Sequence, residues 1–240
     1  MLHLIFFIII FVSATVFCAI LAIFGGIFNP YSSYNTAVIR LWARISVIAA
    51  GVKLRIEGLE NIRPENSYVV VANHQSHMDI PVINVALPNA LRIIAKKELF
   101  TIPFLGWGMK AVGMLKIDRT NQKKSIETLK GAENIIRSCN LSILAFPEGT
   151  RSPDGKIHNF KKGPFIMAIN TGIPVLPVSI SGTRNIIPKG KIRINSGPVK
   201  IVIHPPIDTS RYTLENRNKL VQKTRNFIEK GFIENYGRSS

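Results

Sequence analysis

No Lys, Arg, Asp or Glu precedes Arg40, and acidic residues are few throughout, 14 against 31 basic ones. The whole formal net charge of +17 therefore sits on residues 40–240. Cysteine is scarce as well. Cys18 lies in the apolar head and Cys139 in an expected helix, and the pair forms neither a metal-ligand nor a redox spacing, nor a disulfide in a basic, cytosolic body. No Gly-x-x-x-x-Gly-Lys-Ser/Thr string occurs, which argues against a nucleotide hydrolase. The charge alone would permit a nucleic-acid binder, but there is no aromatic stacking ladder, no RNA-binding motif and no zinc-finger spacing, so nucleic acid is not an expected partner. Anionic lipid and acidic acyl carriers give the charge enough reason. A Gly-x-Ser-x-Gly elbow is missing too, so Ser76 has no nucleophile's setting.

What stands in place of charge at the N-terminus is a run from Leu2 to Phe28 built almost wholly of Leu, Ile, Phe, Val and Ala. At about 1.5 Å per residue such a helix is long enough to cross a bilayer core of roughly 30 Å. It lacks the basic n-region and cleavage site of a signal peptide. Gly25, Gly26, Asn29 and Pro30 interrupt the run, and Asn29 is suited to cap a second helix from about Pro30 to Ala50. There Arg40 and Arg44 sit one turn apart beside Trp42, a pattern fitting the headgroup layer. Residues 1–51 are accordingly expected to be a two-helix membrane anchor and residues 52–240 a catalytic domain. The basic body faces the cytoplasm by the positive-inside rule. The pattern allows the first helix either to span the bilayer or to fold back within one leaflet.

In the body, β-branched runs recur between turn signals: Lys53 to Glu57, Tyr68 to Ala72, Leu91 to Ala95, Met114 to Ile117, Ser142 to Phe146, Val175 to Ile180, Lys191 to Ile194 and Val199 to His204. Helical periodicity fills several gaps, most clearly from Lys123 to Cys139, and a last helix is expected over about Leu214 to Ile233 with a cap at Asp208 to Ser210. The alternation predicts an α/β fold, a mostly parallel sheet flanked by helices, with a hairpin addition near residues 191–204.

Two polar strings follow apolar strands, where open α/β sheets build ligand sites. The first is Asn73-His74-Gln75-Ser76-His77-Met78-Asp79. A histidine titrates near neutrality, and a carboxylate on its other ring nitrogen fixes the tautomer and stabilises the imidazolium. By spacing alone Asp79 is equally a helix cap. A His-x-x-His-x-Asp string suits zinc too, though such a site needs further ligands and only His3, His158 and His204 remain. The second string is Phe146-Pro147-Glu148-Gly149-Thr150-Arg151-Ser152, an outline anion pocket or an ordinary turn. In it Arg151 can grip phosphate bidentately, Gly149 permits close backbone approach and Thr150 offers a hydroxyl. Lys97 and Arg119 add cations.

Together with Ile173-Pro174-Val175-Leu176-Pro177-Val178, these stretches resemble the four ordered blocks of the glycerolipid acyltransferase family, over roughly Arg55 to Gly182. The resemblance implies a bacterial inner-membrane enzyme. It would move a fatty acyl group from acyl-CoA or acyl carrier protein to the sn-2 hydroxyl of lysophosphatidic acid (1-acylglycerol 3-phosphate) and give phosphatidic acid. It implies His74 as general base, Asp79 as its partner, and Glu148, Gly149, Thr150 and Arg151 as the acceptor's binding residues. Lys97 and Arg119 become phosphate contacts, and Pro177 lies near the donor. No cofactor and no metal are expected. Another lysolipid or glycerol 3-phosphate as acceptor, or thioester hydrolysis, are the remaining alternatives.

Overall fold

The computed structural model describes residues 1–118, 122–190 and 192–237. Helix α1 (Leu2–Phe28) and helix α2 (Ser33–Ala49) form a helical hairpin at the N-terminus. In α1 the residues Phe7, Ala14, Cys18, Ala19, Ala22 and Gly25 are buried, while Phe6, Ile9, Phe17, Ile20, Phe24 and Ile27 stay exposed. A 27-residue helix with mean hydropathy of 3.0 over its best window is long and apolar enough to cross a membrane, and among the described residues it alone meets that test.

The second helix starts later than the sequence suggests. Ser32, not Asn29, is its N-cap, and its side chain accepts from the Asn35 amide at 3.2 Å. Asn29 instead accepts from the Tyr31 amide, closing a short turn that leaves Pro30 outside the helix. One face of α2 is not free for lipid: Val38, Ile39, Ala43 and Val47 are buried, and Arg40 donates to the backbone carbonyls of Pro88 and Asn89.

The body is one seven-stranded sheet: β1 (Val52–Glu57), β2 (Val69–Ala72), β3 (Leu91–Lys96), β4 (Leu115–Ile117), β5 (Ser142–Ala145), β6 (Val175–Ser181) and β7 (Gly197–Ile203), in the order β1-β7-β6-β2-β5-β3-β4. Every pairing is parallel except β6 with β7, so the sheet is mostly parallel as expected. The antiparallel addition is one strand, β7. Of the expected strand Lys191 to Ile194, Lys191 lies outside the described residues and Ile192 to Ile194 form no ladder. Arg193 there bonds Asn195, a local turn contact where a strand would need a neighbour.

Alternation along β2 splits the core. Val70 and Ala72 pack with Met78, Val82 and Ile83 of the segment entering α3 (Asp79–Ala86), and with Val47 of α2. Val69 and Val71 face the opposite layer, formed by α5 (Gln122–Cys139), α6 (Gly163–Thr171) and α8 (Arg217–Gly231) through Ala132, Ile136, Phe165, Ala168, Leu220 and Ile228. Short helices α4 (Leu105–Ala111) and α7 (Thr183–Ile186) complete the fold. Helix α8 begins at Arg217, later than expected and not capped by Asp208, whose carboxylate accepts from Ser210 in a separate turn; its N-cap Asn216 turns its side-chain oxygen to the Thr213 amide.

Candidate active site

Strands β2 and β5 are parallel neighbours in the register Val71 with Ala145, so the two polar strings leave the sheet side by side. Asn73 fixes the first exit: its amide donates to the Ile180 carbonyl at 2.9 Å and its oxygen accepts from the Ile180 amide at 2.8 Å. A buried side chain thus extends the β2–β6 ladder by one step. The strings are then tied to each other, with the His74 amide donating to Glu148 Oε1 at 2.8 Å and the Ser152 amide to the His74 carbonyl at 2.8 Å.

His74 Nδ1 lies 2.8 Å from Asp79 Oδ2. That carboxylate is fully buried and accepts also from the Gln75 amide at 2.7 Å, the Ser76 amide at 2.8 Å and, at Oδ1, the Thr183 hydroxyl at 2.5 Å. Backbone donors oblige it to act as acceptor, so Nδ1 carries the proton and Nε2 is left with its lone pair. The imidazole stacks on Phe146, ring centroids 4.1 Å apart, which fixes its plane. Asp79 does not cap α3, which starts without a side-chain cap; its carboxylate instead ties the preceding turn, through the Gln75 and Ser76 amides, to the imidazole of His74. Ser76 closes the turn, its hydroxyl donating to Ile187 and accepting from the Met78 amide.

Glu148 has both oxygens occupied by backbone amides, Oε1 by His74 and Oε2 by His158 at 3.1 Å. Burial pushes its carboxyl above the usual range, and the two amide bonds and the neighbouring histidines pull it part of the way back. Gly149 has φ of +74°, where a side chain would be strained and its Cβ would press on Lys161. Thr150 is exposed and Arg151 half-buried on the same loop. Ser152 is buried and anchors the loop's return, donating to Asp154 and accepting from the Gly155 amide. Lys97 opens the 3-10 turn Lys97–Thr101, and its ammonium is paired with Asp118 at 2.8 Å. Arg119 lies outside the described residues. Thr183 went unforeseen; its only sequence signal is a polar residue just past the end of apolar β6.

Beside the pair lies an apolar cavity of about 550 Å³, within the roughly 300–1,000 Å³ of small-molecule sites. Its walls come from α1, α2, β3, the segment 99–114 and the residues flanking Asp79, namely His77, Met78, Ile80 and Pro81.

The Acyltransferase family profile matches residues 53–181, which include the sheet from β1 to β6 and both strings. The chain belongs to this acyltransferase family. It is 30% identical to a 1-acyl-sn-glycerol-3-phosphate acyltransferase of Salmonella typhimurium over 91% of this chain and 90% of that one. It is 36% identical to a chloroplastic 1-acyl-sn-glycerol-3-phosphate acyltransferase of Arabidopsis thaliana over 88% of this chain, and the match spans only 61% of that longer protein. The crystal structure of the 1-acyl-sn-glycerophosphate (LPA) acyltransferase PlsC from Thermotoga maritima superposes with a TM-score of 0.82 at 31% identity, covering 96% of this chain and 93% of that one. The acyltransferase fold therefore holds across the N-terminal hairpin as well as the sheet.

Proposed function

We propose that this acyltransferase moves a fatty acyl group from an acyl thioester, acyl-CoA or acyl carrier protein, to the sn-2 hydroxyl of 1-acylglycerol 3-phosphate. The observation that carries this reading is the His74–Asp79 pair, with the Glu148 to Arg151 loop tied to it and with the neighbouring residues His77, Met78, Ile80 and Pro81 lining an apolar cavity. His74 Nε2 takes the hydroxyl proton as the oxygen attacks the thioester carbonyl, and the imidazolium returns that proton to the departing thiolate. Asp79 holds the tautomer and balances the charge formed. No enzyme nucleophile is required, because the acceptor supplies the hydroxyl. The amides of Met78 and Asp79 both donate to Ser76, so the oxyanion's donors lie elsewhere than these two.

In this reading residues 1–51 anchor the protein in a bacterial inner membrane, with the basic body on the cytoplasmic side. Arg151, with Thr150, receives the acceptor's phosphate where Gly149 permits close backbone approach, and Lys97 and Arg119 add positive charge. The cavity takes the acyl chain.

The deciding experiment offers the detergent-purified protein labelled acyl thioester with and without lysophosphatidate. Phosphatidic acid should form, and thioester should be consumed only when acceptor is present. Consumption without acceptor would make the protein a hydrolase, and turnover with glycerol 3-phosphate alone would move its place in lipid synthesis one step earlier.

Two smaller effects are expected here. Arg151→Lys keeps the charge and loses the planar fork, so the KM for lysophosphatidate should rise roughly tenfold with kcat little changed, as initial-rate kinetics would reveal. Ala95, buried on β3, is part of the cavity wall. Ala95→Leu narrows that wall, so competition among thioesters of different length should shift toward shorter chains; an unchanged product profile would remove the cavity from the account.

A further inference from the structure

Segment 97–111 runs from the end of β3 through α4 and carries an unusual surface. Ile102, Phe104 and Trp107 are exposed at 44%, 37% and 52%, although each is large and apolar. Phe104 has φ of +59°, a conformation that bulky residues adopt only where the surroundings impose it, and its ring lies 5.0 Å from that of Trp107. Ile102 and Phe104 are wall residues of the apolar cavity and exposed surface at once.

The segment is seated tightly on α1. A Cβ on Gly108 would stand 3.1 Å from Ala19, and one on Gly26 would meet the Ala111 carbonyl at 2.5 Å. The exposed aromatic residues therefore sit on an element packed directly beside α1, whose Phe17, Ile20, Phe24 and Ile27 are exposed as well. Lys110, exposed at the end of α4, adds the cation that accompanies interfacial aromatics on anionic lipid.

We propose that segment 97–111 is a third membrane-contacting element, which inserts Ile102, Phe104 and Trp107 into the headgroup and upper acyl layer of the bilayer beside α1. The occupant of this surface is lipid. Its consequence for function is geometric: the wall of the acyl cavity formed by Ile102 and Phe104 then faces the bilayer rather than water. This inference rests on the membrane-anchored reading above.

The chain holds two tryptophans, so Trp42→Phe leaves Trp107 as the only one. This full-length variant is mixed with vesicles of phosphatidylethanolamine and phosphatidylglycerol containing phosphatidylcholine brominated either near the headgroup or near the chain end. Flotation reports anchoring, and Trp107 emission reports the segment. The expected result is flotation with blue-shifted emission, quenched most by bromine near the headgroup. Flotation with water-like, unquenched emission overturns the proposal and leaves the anchor standing. Failure to float removes the anchor and the proposal with it. A comparison variant carries Trp42→Phe, Trp107→Phe and Leu214→Trp, because Leu214 is equally exposed, at 43%, but lies before α8 on the opposite layer. Its emission should remain water-like, and quenching there as strong as at Trp107 would overturn the assignment.

Discussion

His74→Ala is expected to lower acyl transfer by about 10²-fold or more while the protein keeps its fold and its membrane binding. The Asp79 variants should then separate geometry from charge. Asp79 has four donors pointed at it, three on Oδ2 and the Thr183 hydroxyl on Oδ1. In Asp79→Asn the amide can turn so that its oxygen meets the three donors and its NH₂ meets Thr183, whose hydroxyl accepts as well as donates. The loop should survive, and His74 keeps its tautomer. What is lost is the negative charge that stabilises the imidazolium. Turnover should therefore fall by something like the effect of losing His74, with only a small drop in Tm. Asp79→Ala is different. It leaves the Gln75 and Ser76 amides buried with no acceptor, at about 1–3 kcal/mol for each unsatisfied group, so the protein should unfold at clearly lower temperature as well as lose activity. Paired kinetics and thermal unfolding on the three variants check this. If Asp79→Asn turned over at the parent rate, the carboxylate would only hold the turn through the Gln75 and Ser76 amides, and His74 would have no charged partner in its mechanism.

Much of this site was legible because its parts are local. His74 and Asp79 are five residues apart across one turn, and the apolar strands before both strings are short and β-branched. Their juxtaposition was legible only by analogy, since it follows from β2 and β5 being parallel neighbours, a fact no local pattern encodes. Thr183 lies 104 residues from Asp79 and could not be paired with it by spacing. Asn29 and Ser32 are both good caps, and the choice between them was settled by the turn that Asn29 closes with Tyr31. Ile192 and Ile194 have strand propensity but meet no partner strand, and propensity without a ladder makes no strand. The cavity was the least legible feature. Its walls draw on α1, α2, β3 and α4, elements separated widely in sequence, and apolar residues that line a void look in sequence like those that fill a core.

Glu148→Gln is expected to lower kcat by about 10–10²-fold with little change in the KM for the acceptor, because its carboxylate holds the protein to itself. The sequence reading put Glu148 among the acceptor's ligands. In the structure each of its oxygens accepts one backbone amide, from His74 and from His158, and each keeps a second lone pair. Glutamine keeps one acceptor and sets an NH₂ against the other amide, so either the His74 loop or the His158 turn must give way. A displacement of the order of 1 Å at a catalytic base is enough for about a 10²-fold loss. If instead KM rose and kcat held, Glu148 would be touching the acceptor, and the bracket account would fail. A pH experiment supplies an independent reading. Burial raises the folded carboxyl above its unfolded value, so folding takes up a proton across that window. The parent's stability from this group is therefore fully present below the unfolded value and is lost as pH climbs from there through the raised folded value, whereas glutamine carries no such dependence. The gap in Tm between parent and Glu148→Gln should narrow from acid toward neutral pH. A gap that widens would mean that the two amide bonds outweigh burial, and Glu148 would then be a carboxylate the fold prefers ionised.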